Sequence, residues 1–100
     1  MNSPKENKPR LTQDLFLGGK VILWQSIDGY RAGIDAVLLA TSTKPKTNQK
    51  ILDLGCGAGA VSLCVLANYP DVFVTGLEIM EDTVALAKLN AEENNFKVNF

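Results

Sequence analysis

The chain has 100 residues, near the lower end of common domain sizes, so it carries one hydrophobic core at most. With 46% apolar and 21% charged residues it is neither globally disordered nor a fibrous or collagen-like polymer, and no apolar run approaches the ~18 residues of a membrane helix. The formal net charge of -1 conceals a split: residues 1–50 hold eight Lys/Arg against four Asp/Glu, and residues 51–100 hold two against seven. A basic end of this kind is either a solvated tail and linker or a face for nucleic acid, where Lys and Arg displace counterions from phosphates.

Residues 1–13 mix Asn, Ser, Pro, Lys and Glu where a signal peptide would place its apolar stretch, which predicts a mobile basic tail and a cytoplasmic location. Cys56 and Cys64, in a chain without histidine, are too few for a zinc site and make no disulfide framework. Reduced, packed thiols and no bound metal are expected. Leu15–Leu17 and Val21–Trp24 are short strand-prone runs around Gly18, Gly19 and Lys20, the pattern of a hairpin, and Asp28-Gly29 is a second turn signal. From Gly33 or Ile34 to about Ser42 the Ala- and Leu-rich run predicts a short helix, and Thr43–Lys50, with Pro45 and three lysines, predicts a linker.

Ile51–Leu54 is an apolar run broken only by Asp53 and followed by glycines, as in a buried parallel strand entering a tight turn. Ala58–Asn68 reads as a helix stopped at Tyr69-Pro70; within Ala58–Ala67 only Ser62 is polar, so burial on more than one side is expected. Val72–Leu77 is a β-branched strand closed by Glu78, a helix opens at Glu81 or Asp82 and runs to about Asn94, and Phe96–Phe100 alternates like a third strand. The order strand, helix, strand, helix, strand specifies right-handed crossovers and a parallel sheet. The expected division is therefore a tail at 1–13, a hairpin-and-helix lead-in at 14–43 and an α/β unit at 51–100.

The richest stretch is Asp53-Leu54-Gly55-Cys56-Gly57-Ala58-Gly59, where a strand becomes a helix. Its glycines permit a sharp turn and close approach of a ligand, and the amides that open the helix favour an anionic group. Gly55, Gly57 and Ala60 also satisfy the dinucleotide fingerprint, with Glu78 at the distance of a ribose-binding acid, so a nicotinamide or flavin enzyme competes at this point. Against it stands Asp53, an ionisable group inside an apolar strand, expected to face the loop amides or a cationic ligand. Glu78 has two oxygens able to accept both hydroxyls of a ribose.

Ile51–Gly59 resembles the first motif of class I S-adenosylmethionine-dependent methyltransferases, and Gly76-Leu77-Glu78 resembles their second. The resemblance implies a Rossmann-like fold in which Gly55, Gly57 and Gly59 lie against the methionine portion of S-adenosylmethionine, Glu78 holds the ribose, and Asp53 positions loop and cofactor. Leu17–Val21 and Gly29–Ala40 look like the segment preceding the first motif in the bacterial tRNA(Val) adenine-N6 methyltransferase family, of the methyltransferase small domain type. That likeness implies RNA, with tRNA the expected substrate, and makes Arg31, Gly33 and Asp35 candidates for cofactor or substrate contact. For Asp35 the competing reading is a helix-start acid favoured by the macrodipole.

The family's Asn/Asp-Pro-Pro-aromatic motif does not occur, since Pro4, Pro9, Pro45 and Pro70 have no proline neighbours. No catalytic residue is therefore assigned, and the resemblance implies the amino-terminal part of such an enzyme, with a non-catalytic cofactor-binding remnant as the alternative. Crossovers walking one way across a sheet place their helices on one face. The other face and the free edge of the first strand are then expected to be bare, giving a marginally stable chain or one completed by a second polypeptide.

Overall fold

The computed structural model describes residues 10–29 and 31–100. The tail at residues 1–9 and Tyr30 fall outside them. The lead-in starts earlier than its sequence suggests: β1 (Leu11–Phe16) and β2 (Val21–Ser26) pair antiparallel, from Leu11 opposite Ser26 to Phe16 opposite Val21, joined by one 3-10 turn at Leu17–Gly19. The expected tail boundary at Gln13 is thus corrected, because Leu11 and Thr12 are half-buried and gain ladder partners that composition does not reveal. β2 alternates as a half-buried strand should, with Val21, Leu23 and Gln25 buried.

α1 (Ile34–Thr43) follows, and it buries only Ala36 and Ala40, four residues apart on one face. Those small side chains face α2 (Ala60–Asn68), whose Ala60, Ser62, Leu63, Cys64, Val65 and Leu66 are all buried. Burial around so much of α2 follows from its place in the middle layer, between the hairpin and the sheet, as the lack of polar residues along it predicts. Leu23 and Leu63 are fully enclosed there, each contributing about 1.5–3 kcal/mol by removal from water.

The sheet consists of β3 (Lys50–Leu54) and β4 (Phe73–Leu77), parallel, with Lys50 opposite Phe73 and Leu54 opposite Leu77. The third expected strand is shorter than its alternation suggests. Only Asn99 joins, as a single parallel bridge to Thr75, with Gly76 N–H donating to Asn99 O at 2.8 Å and Asn99 N–H to Val74 O at 3.1 Å. Asn95, with φ at 58°, turns the chain immediately before that segment. The last helix, α3 (Glu81–Glu93), carries Glu81 and Asp82 in its first turn, as the macrodipole favours.

α3 is fastened to the hairpin by two asparagines. Asn90 Oδ1 accepts Trp24 N–H at 2.8 Å and its Nδ2 donates to Trp24 O at 2.9 Å; Asn94 repeats the pattern on Ile22, at 2.8 and 2.6 Å. One helical turn apart, these amides act on the outer edge of β2 as a neighbouring strand would.

The opposite face of the sheet is bare, as the crossover rule predicts. Leu52, Leu54, Phe73 and Leu77 share it at 55%, 72%, 60% and 51% exposure, and β3 pairs with β4 alone among the described residues. No described helix is long and apolar enough to cross a membrane, and the described residues contain no cluster of three metal-ligating side chains.

Candidate functional site

The loop between β3 and α2 folds on alternate glycines. Gly55, Gly57 and Gly59 have φ of 67°, 57° and 96°, a region that side-chain-bearing residues rarely enter. Holding φ positive through Gly59 also delays the helix, so α2 begins at Ala60 and not at Ala58. The loop is braced from within and from both sides: Gly59 N–H donates to Cys56 O at 3.0 Å, Cys56 N–H to Leu77 O at 2.9 Å, and Asn90 Nδ2 to Ala58 O at 2.8 Å. Where a Cβ would stand on Gly55 or Gly57 there is no atom within 4 Å, so the loop presents bare backbone to open space.

Glu78 closes this cradle. Its Oε1 accepts Gly57 N–H at 3.0 Å and its Oε2 accepts Met80 N–H at 3.2 Å, so one carboxylate bridges the loop and the start of α3. A carboxylate offers about four lone-pair positions. Two are taken by backbone amides that fix its orientation, and two remain for a pair of hydroxyls. Beside it Ile79 is 95% exposed, an apolar surface at the mouth of the cradle that sequence pattern gave no reason to single out.

Asp53 does not face the loop amides, as its position in an apolar strand suggests. Its Oδ2 accepts the Ser62 hydroxyl at 2.7 Å, tying β3 to the buried side of α2 beneath the loop. The one polar residue between Ala60 and Ala67 is thus the partner of the lone acid of that strand, which gives each a hydrogen bond. Cys56 lies buried in the loop with its thiol pushed up to about 11, by burial first and then by the charges of Asp53 and Glu78.

The three lead-in candidates lie between β2 and the first turn of α1. Arg31 donates to Asp14 Oδ2 and to Ser26 O, both at 2.9 Å, and Gly33 N–H donates to Asp35 Oδ1 at 2.8 Å at the start of α1. Gln25, nearly fully buried, completes the link by bonding Asp14 and both backbone groups of Ala32. Burial opposes ionisation of Asp14, but hydrogen bonds from Gln25 and Thr12 and the Arg31 guanidinium outweigh it and hold the carboxyl below its ordinary value. Arg31 and Gly33 thus organise the junction between hairpin and helix, and Asp35 stands in the first turn of α1, where the macrodipole favours an acid.

Strand, glycine loop and carboxylate together form an open cradle at one end of the sheet, and comparison with known proteins supplies the family. The profile of the methyltransferase small domain family matches residues 30–100. The chain belongs to this family. Among its relatives, the release factor glutamine methyltransferase of Streptococcus pneumoniae is 34% identical over 64 residues, covering 64% of this chain and 23% of that protein. The tRNA1(Val) (adenine(37)-N6)-methyltransferase of Yersinia enterocolitica is 31% identical over 65 residues, covering 64% and 26%. Coclaurine N-methyltransferase, crystallised with N-methylheliamine and SAH, superposes with a TM-score of 0.59 at 25% identity over 66% of this chain and 20% of its own.

The chain therefore spans about a quarter of the length of these curated relatives. The Rossmann-like fold and the family's cofactor, S-adenosylmethionine, are as the first and second motifs imply, and the nicotinamide or flavin reading is set aside. The dinucleotide fingerprint matched because both cofactor classes need the same tight strand-to-helix turn and the same acid near a ribose.

Proposed function

We propose that the chain is the cofactor-binding part of a methyltransferase acting on RNA, with the adenine N6 of tRNA as the acceptor. The observation that carries the cofactor half of this reading is the Gly57–Glu78 hydrogen bond, which holds a carboxylate against an open glycine loop. When bound there, S-adenosylmethionine supplies an electrophilic methyl group on a sulfonium. Glu78 would accept the two ribose hydroxyls. The backbone of Gly55, Gly57 and Gly59 would border the methionine portion, with the amino end of α2 beside its carboxylate. Asp53 acts through Ser62, keeping strand and helix in the relation that shapes the loop.

The acceptor reading is supported by the likeness of the lead-in to the tRNA(Val) enzymes, by the similarity to the Yersinia enzyme and by the basic balance of residues 1–50. A protein glutamine is the second reading, favoured by the 34% identity to the Streptococcus enzyme. Both parts are testable. Calorimetry with S-adenosylhomocysteine should show binding that Glu78→Gln weakens by about tenfold or more, since each charge-assisted hydrogen bond contributes roughly 1.5–3 kcal/mol. Equal binding by the variant would contradict the assignment of Glu78. Transfer of labelled methyl groups, with the rest of the Yersinia enzyme added in trans, should label bulk tRNA and not a purified release factor; the opposite pattern selects the glutamine reading.

A further inference from the structure

Asn90 is fully enclosed in a segment that neither motif covers, and its side chain touches three parts of the fold at once. Its carbonyl oxygen accepts Trp24 N–H, while its NH2 group donates one hydrogen to Trp24 O and the other to Ala58 O. All of the strong hydrogen-bonding capacity of the amide on its donor side is spent, and both partners are backbone groups that would otherwise be left without a bond. Ala58 sits between Gly57 and Gly59, the two residues whose left-handed conformations form the loop. A bond to the Ala58 carbonyl fixes the peptide plane between Ala58 and Gly59, and so fixes the orientation of the Gly59 amide at the amino end of α2. The neighbouring Asn94 provides an internal control. It makes the same paired contacts to the hairpin, at Ile22, but spends its remaining hydrogen on Asn90 O within its own helix and does not reach the loop.

We propose that Asn90 is a positioning residue for the glycine loop, coupling the shape of the cofactor cradle to the docking of the β1–β2 hairpin. The hairpin is then a working part of the cradle, and whatever moves the hairpin also moves the loop. This rests on the reading of the loop as the S-adenosylmethionine site, and the coupling itself is visible without any ligand. A merely structural Asn90 would act as Asn94 does, holding the hairpin and nothing more.

The test compares Asn90→Ala with Asn94→Ala in the full chain by amide hydrogen exchange and by calorimetry with S-adenosylhomocysteine. Asn90→Ala should speed exchange at the Gly59 amide by about tenfold or more and weaken binding by a similar factor, whereas Asn94→Ala should leave both within about twofold while loosening the Ile22 amide. Equal effects of the two substitutions on Gly59 would overturn the proposal. If far-UV circular dichroism shows that Asn90→Ala does not fold, Asn90→Asp is read in its place: it keeps the side-chain volume and the acceptor for Trp24 but replaces the two donated hydrogens by at most one. Absence of binding by the unaltered chain would overturn the cofactor reading, while the Gly59 exchange comparison would still decide the coupling.

Discussion

Two strand edges in this molecule meet opposite fates. The outer edge of β2 is closed by Asn90 and Asn94, whose amides take up the N–H and C=O of Trp24 and Ile22 as a strand would. The outer edge of β3 has no such cover, and the face beside it exposes Leu52, Leu54, Phe73 and Leu77. The closed side is finished within the chain: every buried side-chain polar atom among the described residues has a partner there or elsewhere. The open side has the surface of a sheet built for two-sided burial, since parallel strands are almost always covered on both faces. Both belong to one short sequence, so the difference lies in which elements the chain contains and not in its composition.

The closed side can be challenged first through its thiols. Cys56 and Cys64 are buried with both thiols pushed up to about 11, Cys64 by burial alone, and the thiolate is the reactive form. At pH 8 their reaction with a thiol reagent should be about a hundredfold slower in the folded chain than after unfolding in urea. Comparable rates would mean that the closed side is open to solvent.

Next comes the tightest point of that side. A Cβ on Gly76 would stand 2.6 Å from the Phe100 ring and 2.9 Å from Cys56 Sγ. Gly76→Ala should therefore destabilise by about 1–3 kcal/mol, read as a lower urea midpoint with an unchanged slope. The open side is tested by Leu52→Lys with Leu54→Glu. Sedimentation should show concentration-dependent association of the unaltered chain, and the double substitution should raise the concentration for half-association by about tenfold, roughly 1.4 kcal/mol. A purely monomeric unaltered chain would show that the bare face is no association surface.

The smallest effect lies at the junction of hairpin and α1. Asp14 has a folded value held below 3.8, so its contribution is present above the unfolded value and lost as pH falls through the folded one. Acidification below about pH 4 should lower stability by less than about 1 kcal/mol through this half-exposed pair with Arg31, and Asp14→Asn should flatten that part of the profile.

Much of this comparison is legible in the sequence, and its limits are physical. Local signals specified the glycine loop, the parallel β3–β4 pair, α2 stopped at Tyr69-Pro70 and Glu78 at the end of β4, because each depends on neighbours in the chain. The bare face followed from crossover geometry. Contacts between distant segments were not legible: Asp53 bonded to Ser62, nine residues on, and Asn90 and Asn94 bonded to a strand 66 and 72 residues earlier. A signal was present in each case. Ser62 is the only polar residue along most of α2, and two asparagines four apart are poor helix formers that need a reason to sit on one face. The third segment forms less sheet than its pattern suggests, because alternation in Phe96–Phe100 reports which side chains face inward and not how many backbone bonds form.

The central claim is that the loop at residues 55–59 and Glu78 together form the S-adenosylmethionine cradle. Titration of the isotope-labelled chain with S-adenosylhomocysteine, followed through its backbone amides, tests it most directly. The account predicts that the largest shifts fall on Gly55, Gly57, Gly59 and the Glu78–Met80 segment, with NAD producing none of comparable size. Saturable shifts elsewhere with a silent glycine loop, or a stronger response to NAD, would contradict it.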